Sequence, residues 1–389
     1  MNIYHGIDRP AAIALLSRFI EVPSINPSFR TEADDPAHFG EAALAHELGA
    51  WLEDAGIAPE IDEVAPGRPN LIGRVAGRDG RRRMIWEGHL DTVQTTGMAA
   101  PFTPRLEGDL LFGRGAVDDG ASVVAFMLAL RALKHRPPAA DVDFVAAMDE
   151  EFSFLGVLHH IGRGERYDLG IAGEPTSLRV VRACKGTVRW WVDVTGVNAH
   201  TARPEEGLNG ITVARHILDA YEQEMARRAA EHTLLGRATL TCTAFEAGIG
   251  PNTVPADCRM RFDYRFLPSE AGAEVHERFR AVALEAARAF PGAKVEVPPP
   301  FVDSSAMDVP EGSPVVEALC RVCGAHGVDP APIGVAYGSD ATKLVNNAGI
   351  PTVIFGPGSI DVAHALDEHV EIEQILRAAR MLVDLAHAL

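Results

Sequence analysis

At 389 residues, 47% of them apolar and 23% charged, the chain is too long for one ordinary domain and is expected to form roughly two, with material for a large core. A formal charge of -18, spread along the chain, argues against nucleic acid or an anionic membrane as a partner. Five cysteines without framework spacing exclude a secreted disulfide scaffold, and the lack of a signal-like start or of an apolar run near the roughly 20 residues of a membrane span gives a cytoplasmic protein as the expectation.

In chain order, residues 11–20 and 41–55 carry helical periodicity, and 70–75, 84–87, 142–147 and 169–172 are compact strand-like runs, with a long apolar helix over 121–133. Such alternation predicts an α/β fold with a mostly parallel sheet flanked by helices. From residue 185 the pattern changes. Strands with polar alternation at 187–195, 238–245 and 259–266 interleave with helices at 208–230 and 269–290, which predicts a smaller α+β domain ending near the Pro298-Pro299-Pro300 run, read as a linker. Helix signals at 314–326 and 372–385 and a strand at 351–355 then restore the first pattern. The expected division is 1–184 and 299–389 for a catalytic domain and 185–298 for an insertion within it. The Cys320-x-x-Cys323 pair sits in a helical pattern with no second such pair, and is read as structural.

Acidic and histidine clusters stand where apolar runs stop: His89-Leu90-Asp91, Asp118-Asp119, Asp149-Glu150-Glu151, Glu174 and His364. Charges gain little from such places unless something binds them. His89 can ligate a metal through one ring nitrogen while Asp91 holds the other nitrogen's proton, although His-x-Asp alone also reads as a surface turn. Asp119 reads as a helix cap or as support for the site, and Asp118 as a ligand. Three consecutive acids at 149–151 repel one another unless a cation neutralises them or one carries a proton for catalysis; an exposed acidic turn is the bland alternative. The glycines at 113–120 lack the spacing and following acid of a dinucleotide site. Oxygen and imidazole donors without thiolates suit Zn²⁺, Mn²⁺ or Co²⁺, and two such ions about 3.5 to 4 Å apart perform hydrolytic chemistry.

In this order the motifs resemble the dinuclear-zinc M20 peptidase and deacylase family, especially its acetylornithine deacetylase and succinyl-diaminopimelate desuccinylase branch. The resemblance runs from His89 to Glu368 and implies a zinc-peptidase-like catalytic domain with an inserted lid and dimerisation domain. It implies two divalent ions, Zn²⁺ foremost: His89 and Glu174 on one, Glu151 and His364 on the other, Asp118 bridging, Glu150 as general base and Asp91 orienting His89. Gly196 to Pro204 resembles the lid motif, whose histidine, here His200, stabilises the oxyanion in the partner subunit's site of a homodimer. Asn252 and Arg265, with Gly338 and Ser339, match segments that contact the substrate and its carboxylate, and an ion pair with Asp263 is the other reading of Arg265. Asp118-Asp119-Gly120 departs from the Asp-x-Lys-Gly of many relatives, which leaves the metal reading intact and the subfamily open.

The expected activity is hydrolysis of the amide bond of an N-acyl amino acid, a small substrate with a free carboxylate. The alternatives are a carboxypeptidase or dipeptidase, a hydrolytic deaminase on the same scaffold, and a non-catalytic binding protein with a structural metal.

Overall fold

The computed structural model describes residues 3–389, which divide into two compact units. One runs to Arg182 and resumes over Val309–Ile333 and Ser339–Leu389; the other is Ala183–Asp308 with Gly334–Gly338.

The first unit opens with α1 (Arg9–Glu21), started by Asp8, whose side chain accepts from Ala11 N, and with α2 (Ala42–Asp54). Strands β1 (Pro59–Ala65), β2 (Arg68–Val75) and β3 (Arg83–His89) lead to α3 (Gly120–His135). Then come β4 (Asp141–Ala147), α4 (Leu155–Gly162), β5 (Leu169–Ala172) and β6 (Val181–Cys184), where the chain crosses into the second unit. Residues two apart on a strand face the same way, so Met84 and Trp86 enter the main core while Ile85 enters the core on the other face. Helix α3 is apolar all round because it packs on β3 and β4 and is itself covered by α1 and the C-terminal helix.

The second unit holds β7 (Gly186–Thr195), α5 (Gly210–Arg227), β8 (Thr239–Ala247), β9 (Asp257–Phe266), α6 (Gly272–Ala287), β10 (Lys294–Glu296) and β11 (Val302–Ser304). Its antiparallel sheet has the order β8-β9-β7, with β10 and β11 both on the outer side of β7. Val188, Trp190, Val192 and Val194 alternate into a core with Tyr221, Phe262 and Phe279. The unit extends past the proline run expected to end it, because β11 returns to pair with Arg189, Val188 and Thr187.

The chain then completes the first unit with α7 (Pro314–Ala325), α8 (Ala341–Ala348), β12 (Thr352–Ile354) and α9 (Ile372–Ala388). Its sheet has the order β1-β2-β4-β3-β5-β12-β6. The four central strands β4, β3, β5 and β12 are parallel, whereas pairing toward both edges is antiparallel, so the sheet is mixed. Among the described residues no helix is long and apolar enough to cross a membrane.

Candidate metal centre

The parallel strands deliver the acids and imidazoles to one end of the sheet. His89 is the last residue of β3, Glu150 and Glu151 follow β4, and Glu174 lies two residues after β5. The carboxyl ends of parallel strands are where open α/β sheets form ligand crevices. Asp118 arrives on the loop before α3, a loop that packs so closely that a Cβ at Gly115 would lie 2.9 Å from the Thr92 side chain. Gly115 also has φ +77, which favours glycine. His364 follows β12 by a longer loop and holds φ 61, a left-handed conformation unusual outside glycine and common at functional sites.

These residues converge. His89 Nε2 lies 3.0 Å from Asp118 Oδ1, His364 Nε2 lies 3.0 Å from Asp118 Oδ2, and the same His364 nitrogen lies 3.0 Å from Glu151 Oε1. The two oxygens of Asp118 thus face two different imidazoles, the disposition of a carboxylate able to bridge two cations. Potential ligand atoms of His89, Asp118 and Glu151 lie within 4.8 Å of one another, as do those of His89, Glu150 and Glu174.

The electrostatics carry the cost of this crowding. Burial, followed by the charges of Asp118 and Glu150, pushes the Glu174 carboxyl well above its ordinary range. Burial does the same to Glu150 and, less strongly, to Glu151. Asp118 runs the other way, since the bonds from His364 and His89 outweigh its burial and hold its carboxyl low. Burial alone would depress His89, yet the Asp118 bond and the surrounding carboxylates keep it well above an ordinary histidine. His364, bonded to Asp118 and Glu151, is pushed up to about 10. The neighbouring carboxylates thus favour positive charge at both rings. The donor set fits metal ions on this ground: exchanging each ring proton for a divalent ion keeps the same imidazole and carboxylate partners and adds positive charge where carboxylates repel.

Asp91 takes a different place from the one its spacing suggested. His89 Nδ1 is 2.8 Å from the main-chain carbonyl of Asp91 and 3.7 Å from its carboxylate. The strand ends at His89, so the carbonyl rather than the side chain meets the ring. The Asp91 carboxylate instead accepts from Glu150 N at 3.0 Å, Glu151 N at 3.1 Å and Asn26 Nδ2 at 2.7 Å, holding the acidic pair by its backbone. Asp119 makes no side-chain cap on α3; its carboxylate accepts from His89 N at 3.2 Å.

Several supporting groups were not singled out in the sequence. Asn26 also donates to Asp149 Oδ1 at 2.9 Å, and Arg68 joins Asp149 to the fully buried Glu41. Glu368 accepts from Val117 N at 3.0 Å, Asp118 N at 3.3 Å and Arg114 Nη1 at 2.5 Å, tying the segment that carries His364 to the loop that carries Asp118. Burial, followed by the charge of Asp340, raises the Glu87 carboxyl well above its ordinary range, and burial raises that of Asp340 to about 6. Their signals in the sequence are weak: an acid inside an apolar run, and single polar residues far from the clusters.

Of the other predicted site residues, His200, Asn252, Arg265 and Gly338 lie in the second unit. His200 is exposed on the short strand Ala199–His200, its Nδ1 accepting from Ala202 N at 3.1 Å. Arg265 makes the ion pair weighed above, Nε to Asp263 Oδ1 at 2.8 Å, and Asp263 also takes Arg189 Nε at 2.6 Å. Ser339, in the first unit, is buried and accepts from Ala341 N at 3.2 Å ahead of α8.

The chain is similar to "Acetylornithine deacetylase" of Aliivibrio salmonicida, 28% identical over 352 residues that cover 88% of this chain and 90% of the relative. It is similar to the protein of the same name from Vibrio cholerae, 27% identical over 377 residues covering 94% and 97%. In fold it is similar to a tripeptidase from Staphylococcus aureus, with TM-score 0.80, 18% identity and coverage of 98% and 99%. A dinuclear metal binding peptidase from the M20 family of Bacillus subtilis gives TM-score 0.70, 16% identity and 98% coverage of both chains. The model of Peptidase family M20/M25/M40 matches residues 85–388, a span that contains all six converging residues; the chain belongs to that family and is a hydrolase.

Proposed function

We propose that the protein hydrolyses the amide bond of N-acyl amino acids, small substrates with a free carboxylate, with the cluster at the end of the parallel strands as its centre. The observation that carries this reading is the Asp118 carboxylate set between two imidazoles at 3.0 Å, with Glu150, Glu151 and Glu174 around them. The names of the relatives with 27–28% identity support a deacylase over a peptidase. In this reading His89 and Glu174 hold one divalent ion, Glu151 and His364 a second, and Asp118 both. When bound, such ions, Zn²⁺ in our assignment, with Co²⁺ or Mn²⁺ as substitutes, polarise the amide carbonyl and make water more acidic.

The chain's own residues do the rest. Glu150, whose burial favours proton uptake, takes the proton of the attacking water and returns it to the leaving amine nitrogen. Asp91 holds Glu150 and Glu151 through their backbone N–H groups, so the base is fixed while its carboxylate remains available. His200, brought by a second copy in a homodimer formed through the inserted unit, would stabilise the oxyanion. Arg265, steadied by Asp263, and Asn252 would receive the substrate carboxylate, with Gly338 and Ser339 beside them. The test is a panel of N-acetyl, N-succinyl and N-formyl amino acids run beside dipeptides, with and without a chelator. Metal-dependent release of free amino acid from the acylated set is expected. Cleavage of dipeptides alone would make the enzyme a peptidase, and turnover indifferent to chelation would remove the metal centre from the reaction.

A further inference from the structure

Three large apolar side chains lie on segments that carry or support the polar centre. Leu366, 63% exposed, and Phe152, 58% exposed, are the most exposed large hydrophobic residues among the described residues of the first unit. Phe152 directly follows Glu151 and Leu366 is two residues beyond His364, so they flank the two residues whose side chains meet at 3.0 Å. Phe152 packs edge-on against Phe29, with ring centroids 6.2 Å apart. Phe29 is fixed in turn: Gln94 Nε2 donates to its carbonyl at 2.5 Å, and it ends a 3₁₀ turn capped by Asn26, the residue that holds Asp91 and Asp149. Three residues after Gln94, a Cβ built on Gly97 would lie 3.6 Å from Leu366 Cδ2, ordinary van der Waals contact. The contacts close a circuit from Glu151 through Phe152, Phe29, the 94–97 loop and Leu366 back to His364.

Exposed apolar surface is unfavourable in water, and a carboxylate and imidazole cluster gives it no compensation. Its position next to two of the proposed ligands in the chain points to the substrate as what covers it. We infer that Phe29, Phe152 and Leu366 form an apolar subsite for a bulky hydrophobic group, aromatic or branched aliphatic, on one side of the scissile amide. The favoured substrate is then an N-acyl amino acid with a large apolar arm rather than one with a charged side chain. The inference rests on the amide-hydrolase reading of the centre and assigns the substrate class within it.

The experiment compares kcat/KM for N-acetylalanine, N-acetylornithine, N-acetylphenylalanine and N-phenylacetylalanine, the last two placing the ring on the amine or the acyl side. At least one aromatic substrate is expected to exceed N-acetylalanine about tenfold, and whichever does so locates the subsite. Phe152→Ala and Leu366→Ala should each erase most of that ratio, Phe152→Leu should retain it, and Leu106→Ala, a comparably exposed residue at 44%, should not alter it. Preference for N-acetylalanine or N-acetylornithine, an unchanged ratio in the alanine variants, or a change of association state in place of the ratio overturns the inference. Calorimetric binding of phenylacetate and of phenylalanine needs no turnover. If no amide is cleaved but one of these binds and Phe152→Ala weakens it about tenfold, the amide-hydrolase reading fails and the subsite stands; if neither binds, the subsite falls.

Discussion

Glu368→Gln changes one atom and tests how the centre is assembled. Glu368 is fully buried and uses both oxygens: Oε1 accepts from the backbone of Val117 and Asp118, and Oε2 from Arg114, whose side chain is 3% exposed. Burial pushes its carboxyl up to about 7, while Arg114 and the two amides pull it back, so at pH 8 it is ionised. In the glutamine variant the amide oxygen can keep the two backbone donors, but the NH₂ group then faces the guanidinium, donor against donor. The variant loses a charge-assisted bond and strands a buried cation, and breaking such a pair from one side costs roughly 3–5 kcal/mol. The loop bearing Asp118 is released with it, which should weaken metal binding about tenfold to a hundredfold, the usual effect of removing a group that holds a ligand in place. Urea unfolding of the metal-free protein at pH 8 reads the first quantity, and competition with a chromophoric chelator reads the second. Adding Arg114→Met removes the stranded cation and should recover more than half of the lost stability. A Glu368→Gln protein within about 1 kcal/mol of wild type and with metal affinity within twofold would refute the reasoning.

Glu150→Gln should keep metal content and lower kcat by about a thousandfold, within the range for loss of a general base; turnover within tenfold of wild type would assign the base elsewhere. Zn²⁺ at about 100 times its dissociation constant should raise the unfolding free energy by about 2.7 kcal/mol, seen as a shift of the urea midpoint, and no shift would mean the cluster does not bind it. His160 is buried against Tyr167, its Nε2 2.9 Å from the hydroxyl, and burial lowers its pKa from 6.5 to about 4. The unfolded ring takes up a proton near 6.5 while the folded one resists until about 4. This contribution is therefore complete above pH 6.5 and is lost as pH falls, about 2 kcal/mol of it by pH 5 and about 3 by pH 4. Urea titrations of wild type and His160→Gln at pH 7 and 5 should differ in slope by that amount; equal pH dependence would contradict it.

How far the sequence could be read depends on the range of each signal. The strands and the acids at their ends were legible because both follow from local pattern: a buried strand is an apolar run, and the residue that stops it is visible in the same window. His89, Glu150, Glu151 and Glu174 all occupy such positions. The edge strands were less legible. β1 is half-buried and carries Glu60, Asp62 and Glu63, so its composition hides a pairing that its antiparallel partner β2 reveals. Helix α8, only eight residues long, lacks the length that makes periodicity readable. The end of the inserted unit is hard to read for a related reason: Pro298 to Pro300 looks like a linker, whereas β11 beyond it rejoins β7.

How the supporting residues act was illegible in principle. Asp91 sits two residues from His89, and extended-chain geometry would point the two side chains together; whether it does depends on where the strand ends, which is decided by pairing with β4 as far as His89 and Ala147. Beyond that pair the strand stops, the Asp91 carbonyl meets His89, and the carboxylate binds Glu150 N and Glu151 N. Glu368 is 250 residues from Asp118 and has no local feature to mark it, yet it holds the backbone on which Asp118 rides. A ligand's identity is a property of residue type and position, so a sequence displays it. Its orientation is a property of hydrogen bonds that close only after the sheet has formed, and this centre, with four carboxylates and two imidazoles competing for the same space, depends on that orientation to keep Asp118 between both rings.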